Sequence, residues 1–320
     1  MNPRIVSGIQ PSGQVHIGNY LGMLSQNIKL QNSGNYECFF PIVDYHSITI
    51  DYDPKEKPTQ ILDLALDMFA LGFDQKKSTI FLQSQVPEHT ELAWIFNTIT
   101  PTSELNRMTQ FKDKSSRQEK NINAGLYTYP TLMAADILLY EPEIVPVGDD
   151  QIQHIELANL IAKKFNNRFG ETFKPVKPQL TDIPRAMSLT HPDRKMSKTE
   201  PQGCLFLTDE PDVIKKKVRK AVTDNQGLEN LFLLLNKFAN KSDIQKLQTA
   251  RADGGLQNIE LKDVLSQAII NHFEYFRVER KKLKNSPDEI KKSILDGSKT
   301  AQKIASKKLA EVKAKIGLKL

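Results

Sequence analysis

The sequence predicts an α/β protein: a doubly wound parallel sheet over residues 1–200, followed by an α-helical domain over residues 201–320. Three observations predict it. Short apolar runs alternate with longer stretches of helical spacing through the first two-thirds of the 320 residues. From about Pro201 the strand-like runs stop and helical spacing continues alone. The charge divides at the same place, with 20 Lys and Arg against 23 Asp and Glu in residues 1–200, and 24 against 15 beyond.

Strands are expected at residues 4–9 (RIVSGI), 38–43 (CFFPIV), 79–83 (TIFLQ) and 144–147 (IVPV), each a short apolar run. Helices are expected between and after them at 20–31, 57–71, 88–98 and 151–165. Such alternation places helices on both faces of a Rossmann-like sheet, whose ligands bind beyond the carboxyl ends of the strands. In the second part, helical spacing covers 210–222, 228–238, 262–284, 287–295 and 300–316. In the last, Ile304, Leu309 and Val312 share an apolar stripe while lysines face water. The join near residues 193–203, with Pro192, Pro201 and Gly203, fits a mobile connection.

Hydrophobic residues make up 39% and charged residues 26%, an ordinary globular balance. No apolar run approaches the roughly 20 residues a membrane-spanning helix needs, so no membrane role is expected. The start, MNPRIVSGIQPSG, lacks the charged-then-apolar pattern of a signal peptide, and no export is expected. Cys38 and Cys204 are the two cysteines; they make neither a disulfide framework nor a metal site, and a reducing cytoplasm is the simplest setting. The net charge of +6 is concentrated at the C-terminal end. That pattern fits either a polyanionic partner or Lys-rich solvated helix faces.

Two segments carry candidate chemistry. Residues 8–20 (GIQPSGQVHIGNY) link the first strand to the first helix, with Gly8, Gly13 and Gly18 allowing close backbone approach and free N–H groups at the helix start. The segment is neither a dinucleotide fingerprint nor a P-loop, and alone it reads as a strand–turn–helix link capped by Ser12. Residues 194–199 (RKMSKT) place two lysines three apart beside Ser197 and Thr199, able to close over a triphosphate and neutralise a departing pyrophosphate. Alone, they also read as a solvated basic loop.

Taken together, the segments resemble the HIGH and KMSKS signatures of class I aminoacyl-tRNA synthetases, standing here as HIGN at 16–19 and KMSKT at 195–199, about 180 residues apart. Further stretches look like the tryptophanyl branch: GIQPSG at 8–13, VDYH at 43–46, LNRMTQFKDK at 105–114, TYPTLMAADILLY at 128–140 and VPVGDDQIQH at 145–154. On a helix, Met133, Asp136, Ile137 and Tyr140 share a face. A buried ionised Asp needs a partner. An indole offers one N–H donor, for which a carboxylate is the natural acceptor. The tyrosine-specific sister branch usually pairs this Asp with a Gln, where Met133 stands here.

The resemblance implies that Gln10, Pro11, Ser12, Gly18 and Asn19 contact ATP, with His16 near its phosphates. It places Gly148, Asp149 and Asp150 at the adenosine, Ala186 against adenine, and Lys195, Met196, Ser197, Lys198 and Thr199 on the nucleotide. Gln110 and Lys114 would reach phosphates from a second loop. The catalytic set is Lys195, Lys198, His16, Gln10 and Lys114. Asp136, Met133, His46, Val145, Val147 and Gln151 would line the amino-acid pocket. The resemblance further implies ATP carried with Mg²⁺ and no dedicated metal site. Its implied partners are L-tryptophan and tRNA(Trp), the helical domain reading the anticodon end, and a second copy of the chain in a homodimer. A tyrosyl specificity, a tRNA-independent nucleotidyltransferase and a non-catalytic RNA-binding relative are the alternatives.

Asn19 stands where the wider class has His, and Thr199 where it has Ser, keeping the hydroxyl. Residues 224–231 look shorter than usual. Phe273, Tyr275 and Phe276 beside Arg277 and Arg280 fit either base stacking or a core stripe.

Overall fold

The computed structural model describes residues 2–109, 122–180 and 185–318. Five strands form one parallel sheet in the order β3-β2-β1-β4-β5. They are β1 (Arg4–Val6), β2 (Glu37–Ile42), β3 (Ser78–Leu82), β4 (Ile144–Val147) and β5 (Lys177–Leu180). The first four fall on the predicted runs. They are continuous apolar segments because helices cover both faces: Ile5, Phe39, Phe40, Ile80 and Phe81 are fully buried. β1 is shorter than its apolar run, although Ile9 still bridges Ile42 beyond its end. β5 was not expected. It reads Lys-Pro-Gln-Leu, pairs on one side only and is mostly exposed, so no apolar pattern marks it.

Among the helices, α1 (Ile17–Asn19) runs through a π-helical turn at Tyr20–Leu24 into α2 (Ser25–Ser33), which Gly34 ends at φ 70°. α3 (Lys57–Leu71) has its predicted limits, with Pro58 in its first turn and Gly72 (φ 102°) at its end. α4 (Glu88–Asn97) and α5 (Thr102–Asn106) follow. α6 (Ala124–Leu138) is capped by the Asn123 side chain, which accepts from Leu126 N at 2.9 Å. It ends before Tyr140. α7 (Ile152–Phe169) runs four residues past its predicted end.

The second part contains α8 (Pro211–Arg219), α9 (Asn225–Phe238), α10 (Lys241–Ala252), α11 (Asn258–His272), α12 (Glu274–Leu283) and α13 (Pro287–Lys315). α10 had no apolar stripe to announce it; Leu247 is its buried residue. The single helix expected over 262–284 breaks at Phe273, whose ring sits among Tyr20, Phe238 and His272. Phe273 and Phe276 are therefore core, while Tyr275 is 72% exposed. Arg277 is buried and donates to Ile270 O at 2.6 Å. Arg280 donates to Asp67 (2.5 Å) and Asp63 (2.8 Å) of α3, tying the two parts together. The base-stacking alternative for this cluster thus loses both phenylalanines and both arginines.

The two helices expected at 287–295 and 300–316 are one, α13, of 29 residues. It lies on the sheet, over β3, although its sequence was counted with the helical domain. The Gly297 and Ser298 that interrupt its pattern are the contact itself. A Cβ on Gly297 would sit 2.0 Å from Ile80 O, and Ser298 Oγ accepts from Leu82 N at 3.2 Å. The helix thereby shields an otherwise open sheet edge. Gly297→Ala is expected to destabilise the fold by about 1–3 kcal/mol, read as a lower urea midpoint with unchanged slope. Among the described residues no helix is long and apolar enough to cross a membrane.

Candidate active site

The strand order reverses between β1 and β4, so the chain leaves these neighbouring strands in opposite directions and opens a crevice at their carboxyl ends. A cavity of about 630 Å³ lies there, within the range of small-ligand sites. One half is polar and built from the two signature segments. The residue 15–17 backbone pairs with residues 205–207: Ile17 N donates to Leu205 O (2.9 Å) and Leu207 N to Val15 O (3.0 Å). The chain following the second signature thus holds the first in place. Lys198 Nζ completes the junction by donating to Ser12 Oγ (3.2 Å) and Gly13 O (3.1 Å). Gly13 sits at φ 102°, where a side chain would strain the turn beneath the Lys198 stem.

The second signature sits on a small hairpin: Ser188 N donates to Arg194 O (2.9 Å) and Met196 N to Ala186 O (3.1 Å). Asn230 of α9, buried, clamps its base from both sides, accepting from Met187 N and donating to Met187 O, each at 3.0 Å. Gly203 packs closely against this hairpin, where a Cβ would come 2.1 Å from Ser188 Oγ and force a shift. Gln10, Ser12, His16, Gly18, Asn19, Ala186, Lys195, Met196 and Lys198 all line the cavity, as do Gly148, Asp149 and Asp150 after β4. Pro11, Ser197 and Thr199 are not in the wall; the Ser197 and Thr199 hydroxyls bond each other at 2.9 Å. Gln110 and Lys114 lie outside the described residues.

His16 is 8% exposed, and its ring lies where a Cβ on Gly18 would be, 2.8 Å from Cε1. Its buried Nδ1 has no hydrogen-bond partner among the described residues. Burial, helped by the Lys198 charge, lowers its pKa to about 4, so the ring is neutral at pH 7. The folded state consequently binds fewer protons than the unfolded chain between about pH 6.5 and pH 4. Stability is therefore lost as pH falls through that window. Relative to a His16→Asn control, the wild-type protein should lose about 3 kcal/mol more between pH 7 and pH 4 in urea melts. Burial also lowers the Lys198 ammonium pKa, a shift that the Asp67 carboxylate opposes.

The other half of the cavity is walled by His46, Met133, Asp136, Ile137, Val145, Val147 and Gln151, with Tyr129 at its side. Six of these were expected from the sequence. Asp136 is 5% exposed and accepts from three side chains: His46 Nε2 on Oδ2 (2.6 Å), with His89 Nδ1 (2.6 Å) and Gln83 Nε2 (2.7 Å) on Oδ1. Burial pushes its carboxyl up, but the imidazoles of His46 and His89 outweigh that and hold it well below the usual carboxylate range. It is an anion set in an apolar wall. Gln83, His89 and Tyr129 went unmarked in the sequence, where the need of a buried Asp for donors was the only signal of partners. The Tyr129 hydroxyl bonds His154 Nε2 at 2.9 Å.

Residues 1–308 match the family described as tRNA synthetases class I (W and Y). The tryptophan–tRNA ligase of Caldanaerobacter subterraneus subsp. tengcongensis is 41% identical over 329 residues, covering 98% of each chain. A tryptophanyl-tRNA synthetase structure from Campylobacter jejuni, complexed with ADP and tryptophan, has a TM-score of 0.87 at 34% identity, over 98% of this chain and 100% of its own. The Mycoplasma pneumoniae tryptophanyl-tRNA synthetase has a TM-score of 0.88 at 32% identity, over 100% and 99%. With its two signature segments joined at one cavity and a match across nearly its whole length, this chain belongs to the class I tRNA synthetases of the tryptophan and tyrosine group.

Proposed function

We propose that this protein activates L-tryptophan with ATP, forming tryptophanyl-adenylate and pyrophosphate, and then transfers the aminoacyl group to the terminal ribose of tRNA(Trp). The observation that carries the reading is Asp136, an ionised carboxylate in an apolar wall beside the signature junction. An indole presents one N–H to such an acceptor and otherwise buries carbon. Met133 beside it supplies no polar atom suited to a phenol. The high similarity to tryptophan–tRNA ligases supports the same choice.

The amino-acid carboxylate attacks the α-phosphorus of ATP, and the bond to pyrophosphate breaks. That carboxylate is ionised at pH 7, so no general base is needed. The work left to the chain is alignment and charge stabilisation. Lys198 and Lys195 take the charge growing on pyrophosphate, while the neutral His16 ring in the cavity wall lies beside the phosphates without adding charge of its own. Gly148, Asp149 and Asp150 receive the adenosine, acidic groups suiting ribose hydroxyls. Mg²⁺ enters as part of the nucleotide substrate. Residues 201–320, with 24 basic against 15 acidic side chains, offer the surface for tRNA. The working form is a cytoplasmic homodimer.

Pyrophosphate exchange into ATP, with each of the twenty amino acids supplied separately and no tRNA, tests the reading. Exchange with tryptophan alone is expected. Exchange with tyrosine, or with none of the twenty, would overturn it.

A further inference from the structure

The bonds to Asp136 are not equivalent. His46 lines the cavity and holds Oδ2, whereas Gln83 and His89 lie behind the wall and both hold Oδ1. Oδ2 therefore faces a ligand and Oδ1 faces the core. The Oδ1 donors are themselves fixed. Gln83 Oε1 accepts from Tyr45 N at 3.0 Å, which turns its amide nitrogen toward Asp136. His89, fully buried, has Nε2 2.8 Å from the Tyr140 hydroxyl. An ionised carboxylate only accepts, so Nδ1 carries the hydrogen, and in the neutral ring Nε2 then accepts from Tyr140. Tyr140 is locked in turn, stacked on Phe39 at 5.0 Å and packed against Phe81.

Resting on the tryptophan reading, we propose that His89 is a positioning residue for substrate selection. Its Nδ1–H anchors Oδ1 of Asp136 and so presents Oδ2 to the cavity, where an indole N–H takes the place His46 holds. The chain Tyr140→His89→Asp136 runs in one direction only, and this makes the pocket demand a donor from its ligand. A ligand with no N–H at that point leaves Oδ2 without its replacement bond.

The test compares kcat/KM in pyrophosphate exchange for tryptophan with that for its benzothienyl analogue, in which sulfur replaces the ring N–H. His89→Leu is expected to lower the tryptophan-to-analogue ratio about 10- to 100-fold, through KM for tryptophan, with KM for ATP unchanged. His89→Asn restores an N–H where Nδ1 sits and should recover most of the ratio. His89→Gln places its N–H nearer the Nε2 position and should not. Equal losses toward both substrates, or equal behaviour of the Asn and Gln variants, would overturn the inference; the Asn–Gln comparison decides it even if His89→Leu does not fold. Asp136→Ala separates the two readings. If it leaves the ratio intact, the assignment of Asp136 to the indole fails; if it collapses the ratio and the His89 variants do not, the positioning role alone fails.

Discussion

Replacing Asp136 with Ala is expected to lower kcat/KM for tryptophan by about a hundred- to several-thousand-fold in pyrophosphate exchange. Two losses add. The ligand N–H loses a charged acceptor inside an apolar wall, where water cannot substitute. The donors of His46, Gln83 and His89, each within 2.7 Å of the carboxylate, are also left facing a void. Breaking a buried charged cluster from one side typically costs about 3–5 kcal/mol, which sets the range. Part of that cost falls on the fold, so a lower melting temperature should accompany the kinetic defect. Tryptophan exchange within tenfold of wild type would mean that Asp136 is structural and that selection lies elsewhere in the pocket.

Lys198→Ala is expected to reduce the maximal rate of exchange by about 10²–10³, with KM for tryptophan nearly unchanged. The amine is held before any nucleotide arrives, by Ser12 Oγ and Gly13 O at 3.2 and 3.1 Å. A cation already in place and partly removed from water stabilises growing negative charge without the reorganisation an exposed lysine must undergo. Lys195, exposed at the cavity rim, should matter less when replaced in the same way. Ser12→Ala removes one of the two Lys198 anchors and should cost about 1 kcal/mol, roughly fivefold in rate. Pre-steady-state measurement of adenylate formation distinguishes this pattern from weakened binding. A larger effect from Lys195 than from Lys198 would reverse the assignment.

What the amino-acid order settles here is local. The apolar runs of β1 to β4 and the α3 limits, with Pro58 in its first turn and Gly72 at its end, were legible because periodicity, caps and glycine act over a few residues, and the two signature segments were legible through their resemblance to the family's motifs. Asp136 could be singled out too, as an acid in an apolar helix. Its donors could not: they come from residues 46, 83 and 89, brought in from the turns that follow β2 and β3 and from the start of α4. The same limit hid β5, whose burial is too slight to leave a pattern, and the unity of α13, whose Gly297 reads as a helix breaker until Ile80 O is set 2.0 Å from its missing Cβ. It also left open whether Phe273 and Phe276 face RNA or the core, and whether His16 is charged. Each of these depends on which distant segment excludes water from a side chain, and only the folded chain supplies that neighbour.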